Sequence, residues 1–317
     1  ATRAARDRVN RLLDAMFALQ GLGSYPVTLA GTDAVRKTWL PRVARGEAIA
    51  AFAMTEAGAG SDVSAIQTRA QRDGNSYVLH GRKTFISNAG LADFYTVFAR
   101  TSPDGHRGLS AFLVPATAPG VLFVRSIALL ADHPIGEVEF GGCRVPASHR
   151  LGAEGDGFSI GMETLRIFRS TVGAAAVGMA ERALEAALEH VRERVQFGKP
   201  LSEQQAVQMM LAEAATDLRA AWLLVEDAAR RVDGGERAVR ETSMAKLYAT
   251  EAAQRTIDAA LQLHGAKGLE KGAIVESLYR DVRALRIYEG TSEIQKMIIA
   301  RELLRATPSV PPSPARE

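Results

Sequence analysis

Apolar positions along the chain fall into three regimes of different period. In residues 1 to about 48 they recur at helical spacing, and Leu12, Leu13, Met16, Phe17 and Leu19 make most of one face. The run "GLGSYPVTLAGT" breaks that pattern with glycine and proline. Asp33 then opens a second helix through "AVRKTWLPRVARGE", interrupted by Pro41. From 49 to about 150 the period changes. "IAAFAMT", "SYVLHG", "RKTFIS", "DFYTVFAR", "LSAFLVPA", "GVLFVRS" and "GEVEF" are short apolar or alternating runs, punctuated by Gly, Asn, Asp and Pro. Such runs predict an antiparallel β domain, barrel or sandwich.

From Gly157 onward the helical period returns. Residues 161–195 read as one long helix, ended near Gly198-Lys199-Pro200. Residues 202–232 form a second, ended by Gly234-Gly235, and 236–265 a third. Long helices with short joints predict a bundle. The Pro/Ser-rich end, 307–317, is expected to be disordered. The fold class is therefore α+β. A helical N-terminal part (1–49) precedes a middle antiparallel β domain (50–152) and a C-terminal helical bundle (153–306).

Composition narrows the function classes. Among 317 residues, 47% are apolar and 24% charged, an ordinary globular balance. A net charge of +3, with no dense Lys/Arg run interleaved with aromatics, gives no support for nucleic-acid binding. The single cysteine, Cys143, excludes an internal disulfide and a cysteine-based metal cluster. That fits a reducing compartment, and a cytoplasmic location is expected. No apolar run approaches membrane-spanning length, so no membrane association is expected. The sequence starts without Met and already in helical period.

Several chemical signals fail on context. "GFSIG", 157–161, matches a GxSxG nucleophile elbow, but "HRLGAEGDG" before it is no strand, so Ser159 reads as a helix-entry residue. No GxGxxG follows a strand, and no HExxH or paired ligand spacing occurs. The six scattered histidines read as surface or core residues, and no metal is expected.

Other stretches survive. "AMTEAGAGSD" ends the first strand, and its glycines let backbone N–H groups approach a ligand such as a phosphate or a flat ring edge. "GRKTFISNAG" sets Phe85 beside Ser87, where an aromatic and a hydroxyl could flank a heterocycle. "RERVQFGKPLSEQQ" gathers Arg194, Gln196, Phe197 and Gln204 at a helix corner, and arginine suits bidentate phosphate binding. "QLHGAKG" ends the third long helix with two glycines. Each stretch equally allows a bland reading as a turn, ordinary strand packing, a solvated corner or a C-cap.

In "RALRIYEGTSEIQ", Ser292 reads as an N-cap and Gln295 as its capping-box partner, with Ile294, Met297, Ile298 and Leu303 following at helical spacing. Glu289 then stands just outside a helix N-terminus, where free N–H groups and the dipole favour negative charge. Gly290 allows a sharp bend and clears the front of the carboxylate. The stretch alone leaves open whether Glu289 merely complements the dipole or does chemistry.

Taken together and in this order, "TEAGAGSD", "RKTFISNAG", "RVQFGKPLSEQQ", "QLHGAKG" and "YEGTSEIQ" resemble the acyl-CoA dehydrogenase family over nearly the whole chain. The resemblance implies a helical N-terminal domain, a middle β domain and a C-terminal four-helix bundle. The chain reads as lacking that family's first N-terminal helices. The resemblance also implies one FAD per subunit, held partly by a neighbouring copy in a homo-oligomer, a dimer or tetramer. It implies an acyl thioester substrate, on CoA or a carrier protein, and an electron-transfer flavoprotein or similar acceptor.

Carried over residue by residue, the flavin contacts fall on Phe52, Met54, Thr55 and Ser61, then on Phe85 and Ser87. Across the subunit boundary come Arg194, Gln196, Phe197, Gln204 and the turn Gln262, Gly265, Ala266. Thr291 and Glu293 face the cofactor near the base. The resemblance makes Glu289 that base, removing the α proton, with Gly290 leaving room for substrate. Where some members carry the base on the first bundle helix, this chain has Phe168, which cannot take a proton. Ser61, Phe168 and Arg169 are expected to line the substrate site. Arg166 reads either as a surface partner of Glu163 or as a receiver of an anionic group on the substrate. The family's Arg-Ser/Ala pair before the last strand is replaced by a segment with His133-Pro134. Readings that keep the fold are an acyl-CoA oxidase, a flavin monooxygenase or a non-catalytic flavin-fold binding protein.

Overall fold

The computed structural model describes residues 11–305, with side chains from residue 18. The apolar face at Leu12, Leu13, Met16 and Phe17 lies outside the described side chains, and the tail expected at 307–317 outside the described residues.

Helix α1 (Arg11–Ala30) is followed by α2 (Asp33–Ala44), which Thr32 caps by accepting from Val35 N–H. The break expected across "GLGSYPVTLAGT" does not occur. The helix runs through Gly21, Gly23 and Pro26 and ends at Ala30. Packing outweighs propensity here. A Cβ on Gly23 would lie 2.8 Å from Ala50 and Ala51, so only glycine lets the helix sit this close to the first strand.

That strand, β1 (Ala50–Ala53), belongs to an eight-stranded sheet with β2 (Arg69–Asp73), β3 (Ser76–Ser87), β4 (Phe94–Arg100), β5 (Leu109–Pro115), β6 (Val121–Ser126), β7 (Ile135–Pro146) and β8 (Arg150–Leu151). The order is β6-β7-β3-β2-β4-β5-β8, with β1 paired to β4. Most pairs are antiparallel, but β1 and β2 each meet β4 in parallel. Gln20 of α1 fixes the entry to β1: its amide donates to Ala48 O and accepts from Ala50 N–H. "SYVLHG" and "RKTFIS", which read as two runs, form the single long β3. Its pairing with β7 slips between Lys83 and Ile86, where Phe85 takes a left-handed φ of +53°.

Helix α3 (Gly157–Glu193) crosses from the β domain into the bundle. Ser159 donates to Asp156 O in its first turn, as a helix-entry residue does. A short hairpin, β9 (Val195–Gln196) and β10 (Lys199–Pro200), joins α3 to α4 (Gln205–Asp233), and α5 (Val239–His264), α6 (Ile274–Leu285) and α7 (Ser292–Arg305) follow. One apolar cluster, rich in alanine, is shared by α3, α4, α5 and α6, which makes these the four-helix bundle. The small side chains let α3 and α5 pack closely, and α7 lies against α5.

Candidate active site

Between α6 and α7 the chain turns sharply. Ile287 and Tyr288 N–H close onto Ala284 O, and then Glu289 and Gly290 both enter the left-handed region, at φ +53° and +87°. For a glutamate this costs on the order of 1–3 kcal/mol, so surrounding groups must hold it. Lys246 Nζ donates to Gly290 O at 2.7 Å, and Gln295 Nε2 donates to Gly290 O at 2.9 Å and Glu289 O at 3.2 Å.

The capping pattern read from the sequence needs correction. Thr291, not Ser292, is the cap: its Oγ1 accepts from Ile294 N–H at 3.3 Å. Ser292 lies inside the helix and donates to Glu251 Oε1 at 2.6 Å, beside Arg286 Nε at 2.8 Å. Gln295 reaches back to carbonyls rather than to a cap N–H, because the left-handed turn points those carbonyls at its amide. A Cβ on Gly290 would lie 2.7 Å from that amide. The side on which a Cβ would project from Gly290 is thus filled by Gln295, and only glycine fits there.

Two buried cations face Glu289. Burial pushes Arg169 on α3 down to about 10, with attraction to Glu289 opposing it. Burial pushes Lys246 on α5 down to about 8, again opposed by Glu289. Reciprocally, both cations favour the carboxylate form of Glu289. Arg169 Nη1 also donates to Ser243 Oγ at 3.3 Å. Phe168, next to Arg169, turns to α1, where it meets Tyr25 edge-on at 6.1 Å and closes against Gly21. Arg166 does pair with Glu163, at 2.9 and 2.5 Å, and also donates to Arg237 O at 2.6 Å. Arg166 is buried while Glu163 is half-buried, and the guanidinium is committed to the chain itself. Thr291 is half-buried and Glu293 exposed; Glu293 lies below the usual carboxylate range through its own backbone N–H and the Thr291 hydroxyl.

The β domain supplies a second group near the start of α3. Met54 lies under Gly161, where a Cβ would come within 2.4 Å of its methyl. Thr84 N–H donates to Thr55 O at 3.0 Å, and Lys83 Nζ donates to Met54 O at 2.9 Å and Glu56 Oε1 at 2.7 Å. Glu56 also accepts from the N–H groups of Gln67 and Thr68. The 54–61 loop is therefore tied to β3, leaving Ser61 exposed and the Cβ positions of Gly58 and Gly60 in open space. Phe85 is 54% exposed in its left-handed conformation, whereas Phe52 packs on Phe98 at 4.8 Å. Ser87 Oγ bonds His133 Nε2 at 2.8 Å, and burial holds His133 below its ordinary range. An exposed aromatic, hydroxyls and an open glycine loop fit a flat heterocycle with polar edges.

The remaining candidates stand elsewhere. From Arg169 to Arg194 is 25 residues of α3, about 37 Å at the helical rise. There Arg194, Gln196 and Phe197 are exposed, Phe197 at 94% and φ +53°. Half-buried Gln204 follows, its Nε2 buried with no hydrogen-bond partner. Gln262, Gly265 and Ala266 sit at the same end, since His190 of α3 stacks on His264 of α5 at 4.5 Å. The chain thus assembles two groups at opposite ends of α3, and does not bring them together.

Sequence reasoning missed Lys246, the Glu56–Lys83 pair, the role of Gln295 and the Ser87–His133 bond. Lys246 carried one signal: Thr242, Ser243, Ala249 and Thr250, its neighbours three and four residues away, are all small. Among the described residues no group of three or more His, Cys, Asp or Glu could hold a metal ion, and no helix is long and apolar enough to cross a membrane.

The chain matches the family profiles "Acyl-CoA dehydrogenase, middle domain" over residues 51–143 and "Acyl-CoA dehydrogenase, C-terminal domain" over 155–304. It is 40% identical to cyclohexane-1-carbonyl-CoA dehydrogenase of Geobacter metallireducens, over 92% of this chain and 77% of that protein. It is 40% identical to the caffeyl-CoA reductase-Etf complex subunit CarC of Acetobacterium woodii, over 90% and 76%. Butyryl-CoA dehydrogenase from Megasphaera elsdenii superposes with a TM-score of 0.93 at 34% identity, over 96% of this chain and 80% of that one.

Proposed function

Because the chain belongs to the acyl-CoA dehydrogenase family, we propose that Glu289 is the general base of its α,β-dehydrogenation of an acyl thioester. The chain is an oxidoreductase acting on CH–CH bonds. The α C–H bond breaks, its proton goes to the Glu289 carboxylate, and its electron pair becomes the new double bond as hydride leaves the β carbon. FAD, the cofactor of this family, supplies the hydride acceptor when bound.

The observation that carries this reading is a half-buried glutamate in a left-handed turn, faced by buried Arg169 and Lys246. Both cations favour the ionised carboxylate, the form that can accept a proton. The Glu289 backbone N–H is the donor we assign to the thioester oxygen, where negative charge develops. Phe168, beside Arg169, bounds the acyl group.

Met54, Thr55, Ser61, Phe85 and Ser87 would hold the flavin ring at the Glu289 end. Arg194, Gln196, Phe197, Gln204, Gln262, Gly265 and Ala266 would complete the site from a second copy, which makes a homo-oligomer part of the proposal. The separation of the two groups along α3 supports it. An electron-transferring flavoprotein is the proposed acceptor, on the likeness to the Etf-complex subunit, and the cytoplasm the proposed location.

The test uses purified holoenzyme and anaerobic butyryl-CoA. Glu289→Gln is expected to keep the visible flavin band and to slow its bleaching by at least about 100-fold. Near-normal bleaching in that variant would place the base elsewhere.

A further inference from the structure

The Glu289–Gly290 turn is held from two sides by groups that are costly to bury. Lys246 and Gln295 are both 0% exposed. Lys246 keeps an ammonium in the interior, and Gln295 leaves its own Oε1 buried with no hydrogen-bond partner. A well-seated helix does not require this. Thr291 already caps α7, and Arg286 and Ser292 already anchor the segment to Glu251. The extra donors converge instead on two carbonyls, Glu289 O and Gly290 O. Those carbonyls flank a backbone in which both residues are left-handed. Rotating the Glu289–Gly290 peptide would break the bond from Gln295 to Glu289 O, and rotating the Gly290–Thr291 peptide would break the bonds from Lys246 and Gln295 to Gly290 O, so the two side chains together fix the turn from which Glu289 projects.

We propose that Lys246 and Gln295 are positioning residues that lock the Glu289–Gly290 turn and so aim the proton-abstracting carboxylate and its backbone N–H. This rests on the reading of Glu289 as the base. Gln295 acts through geometry alone. Lys246 also contributes charge. The groups that face Lys246 are Glu289, Arg169 from α3, Glu251 from its own helix and Glu293 from α7. Glu251 is engaged by Arg286 and Ser292, which leaves Lys246 and Arg169 as the cations set against Glu289.

The two residues are separable by mutation. Lys246→Met keeps length and removes charge and donor; Gln295→Met removes the donor without changing charge. Each holoenzyme is mixed anaerobically with butyryl-CoA and with its α-deuterated form. A displacement of about 1 Å at a reacting group costs on the order of 100-fold, so flavin reduction should slow by about that factor in both. The substrate dissociation constant should not change. The α-deuterium isotope effect should rise, because proton abstraction becomes more limiting. The acid limb of the rate–pH profile should move to higher pH in Lys246→Met and stay in place in Gln295→Met. A merely structural role would lower flavin content and thermal stability while leaving the isotope effect and the acid limb unmoved. That result, or a wild-type reduction rate in flavin-loaded variants, overturns the proposal. If Lys246→Met fails to retain flavin, Gln295→Met decides.

Adding Lys246→Met to Glu289→Gln should slow reduction no further, since the lysine acts through the glutamate. If Glu289→Gln alone reduces flavin normally, the base assignment fails. If Glu289→Gln is inactive while both clamp variants match wild type, the clamp alone fails.

Discussion

Replacing Glu56 by glutamine strips the carboxylate from a fully buried lysine, and the cost can be worked from the Lys83 ammonium. Burial pushes Lys83 from 10.5 down to about 8, with Glu56 restoring only part of the loss. At about 1.4 kcal/mol per pH unit, the fold at pH 7 already carries about 3 kcal/mol against this charge. Without Glu56 the lysine sheds its proton. At pH 7 that route adds at most on the order of 1 kcal/mol, the distance from pH 7 to about 8. Glu56 is itself held below the carboxylate range: burial opposes its charge, but Lys83, Thr68 and Gln67 outweigh it. Making its bonds to Gln67 and Thr68 N–H neutral costs roughly 1 kcal/mol more. The sum is about 2–3 kcal/mol at pH 7. The sign with pH follows. Below pH 8 Lys83 is protonated in the native protein and in the unfolded chain, while the folded variant's lysine is not, so the deficit grows as pH falls. From pH 8 to pH 6 it should deepen by about 2–3 kcal/mol. Urea unfolding at pH 6, 7 and 8 in a Trp222→Phe background reads this through Trp39, which packs on Phe94 of the sheet at 4.9 Å. Adding Lys83→Met should abolish the pH dependence. A Glu56→Gln deficit that is constant from pH 6 to 8 refutes the reasoning.

Two further outcomes test the site. Arg194→Ala should weaken FAD retention, measured by reconstituting apoprotein, while an isolated surface arginine would leave retention unchanged. Phe168→Ala removes a ring packed on Tyr25 and Gly21 and should raise the kcat/KM of octanoyl-CoA relative to butyryl-CoA by about tenfold or more. An unchanged ratio would remove Phe168 from the acyl pocket.

The long helices were legible because α3, α4 and α5 combine sustained periodicity with glycine or proline stops, and all three appear within a few residues of their expected ends. The end of α1 was not. Gly21, Gly23 and Pro26 oppose a helix locally, and what overrides them is contact with Phe168 and β1, residues distant in sequence. The cap of α7 was misplaced by one residue for a similar reason. Thr291 and Ser292 are both good caps in isolation, and Glu251, 41 residues away from Ser292, draws that hydroxyl into the helix interior. Glu289 stood out as an acid before a glycine at a helix start, but its left-handed backbone has no sequence mark.

The least legible part of the site is the part that holds the strain. A lysine within a helix reads as a solvated position, because most lysines are exposed. Lys246 departs from that expectation through its neighbours. Thr242, Ser243, Ala249 and Thr250 are all 0% exposed, and with Ala245 they form the small-residue face of α5 against the bundle core. Small residues let helices approach, so a long side chain on that face has no room to bend back towards water. Its end reaches Gly290 O instead, 44 residues on. Close helix packing therefore makes a flexible side chain into a fixed donor, and a fixed donor can hold a glutamate in a backbone conformation it would otherwise leave. A charged residue centred on a run of small ones at helical spacing is thus a sign of an interior strut, and the loop it supports is where to look for chemistry.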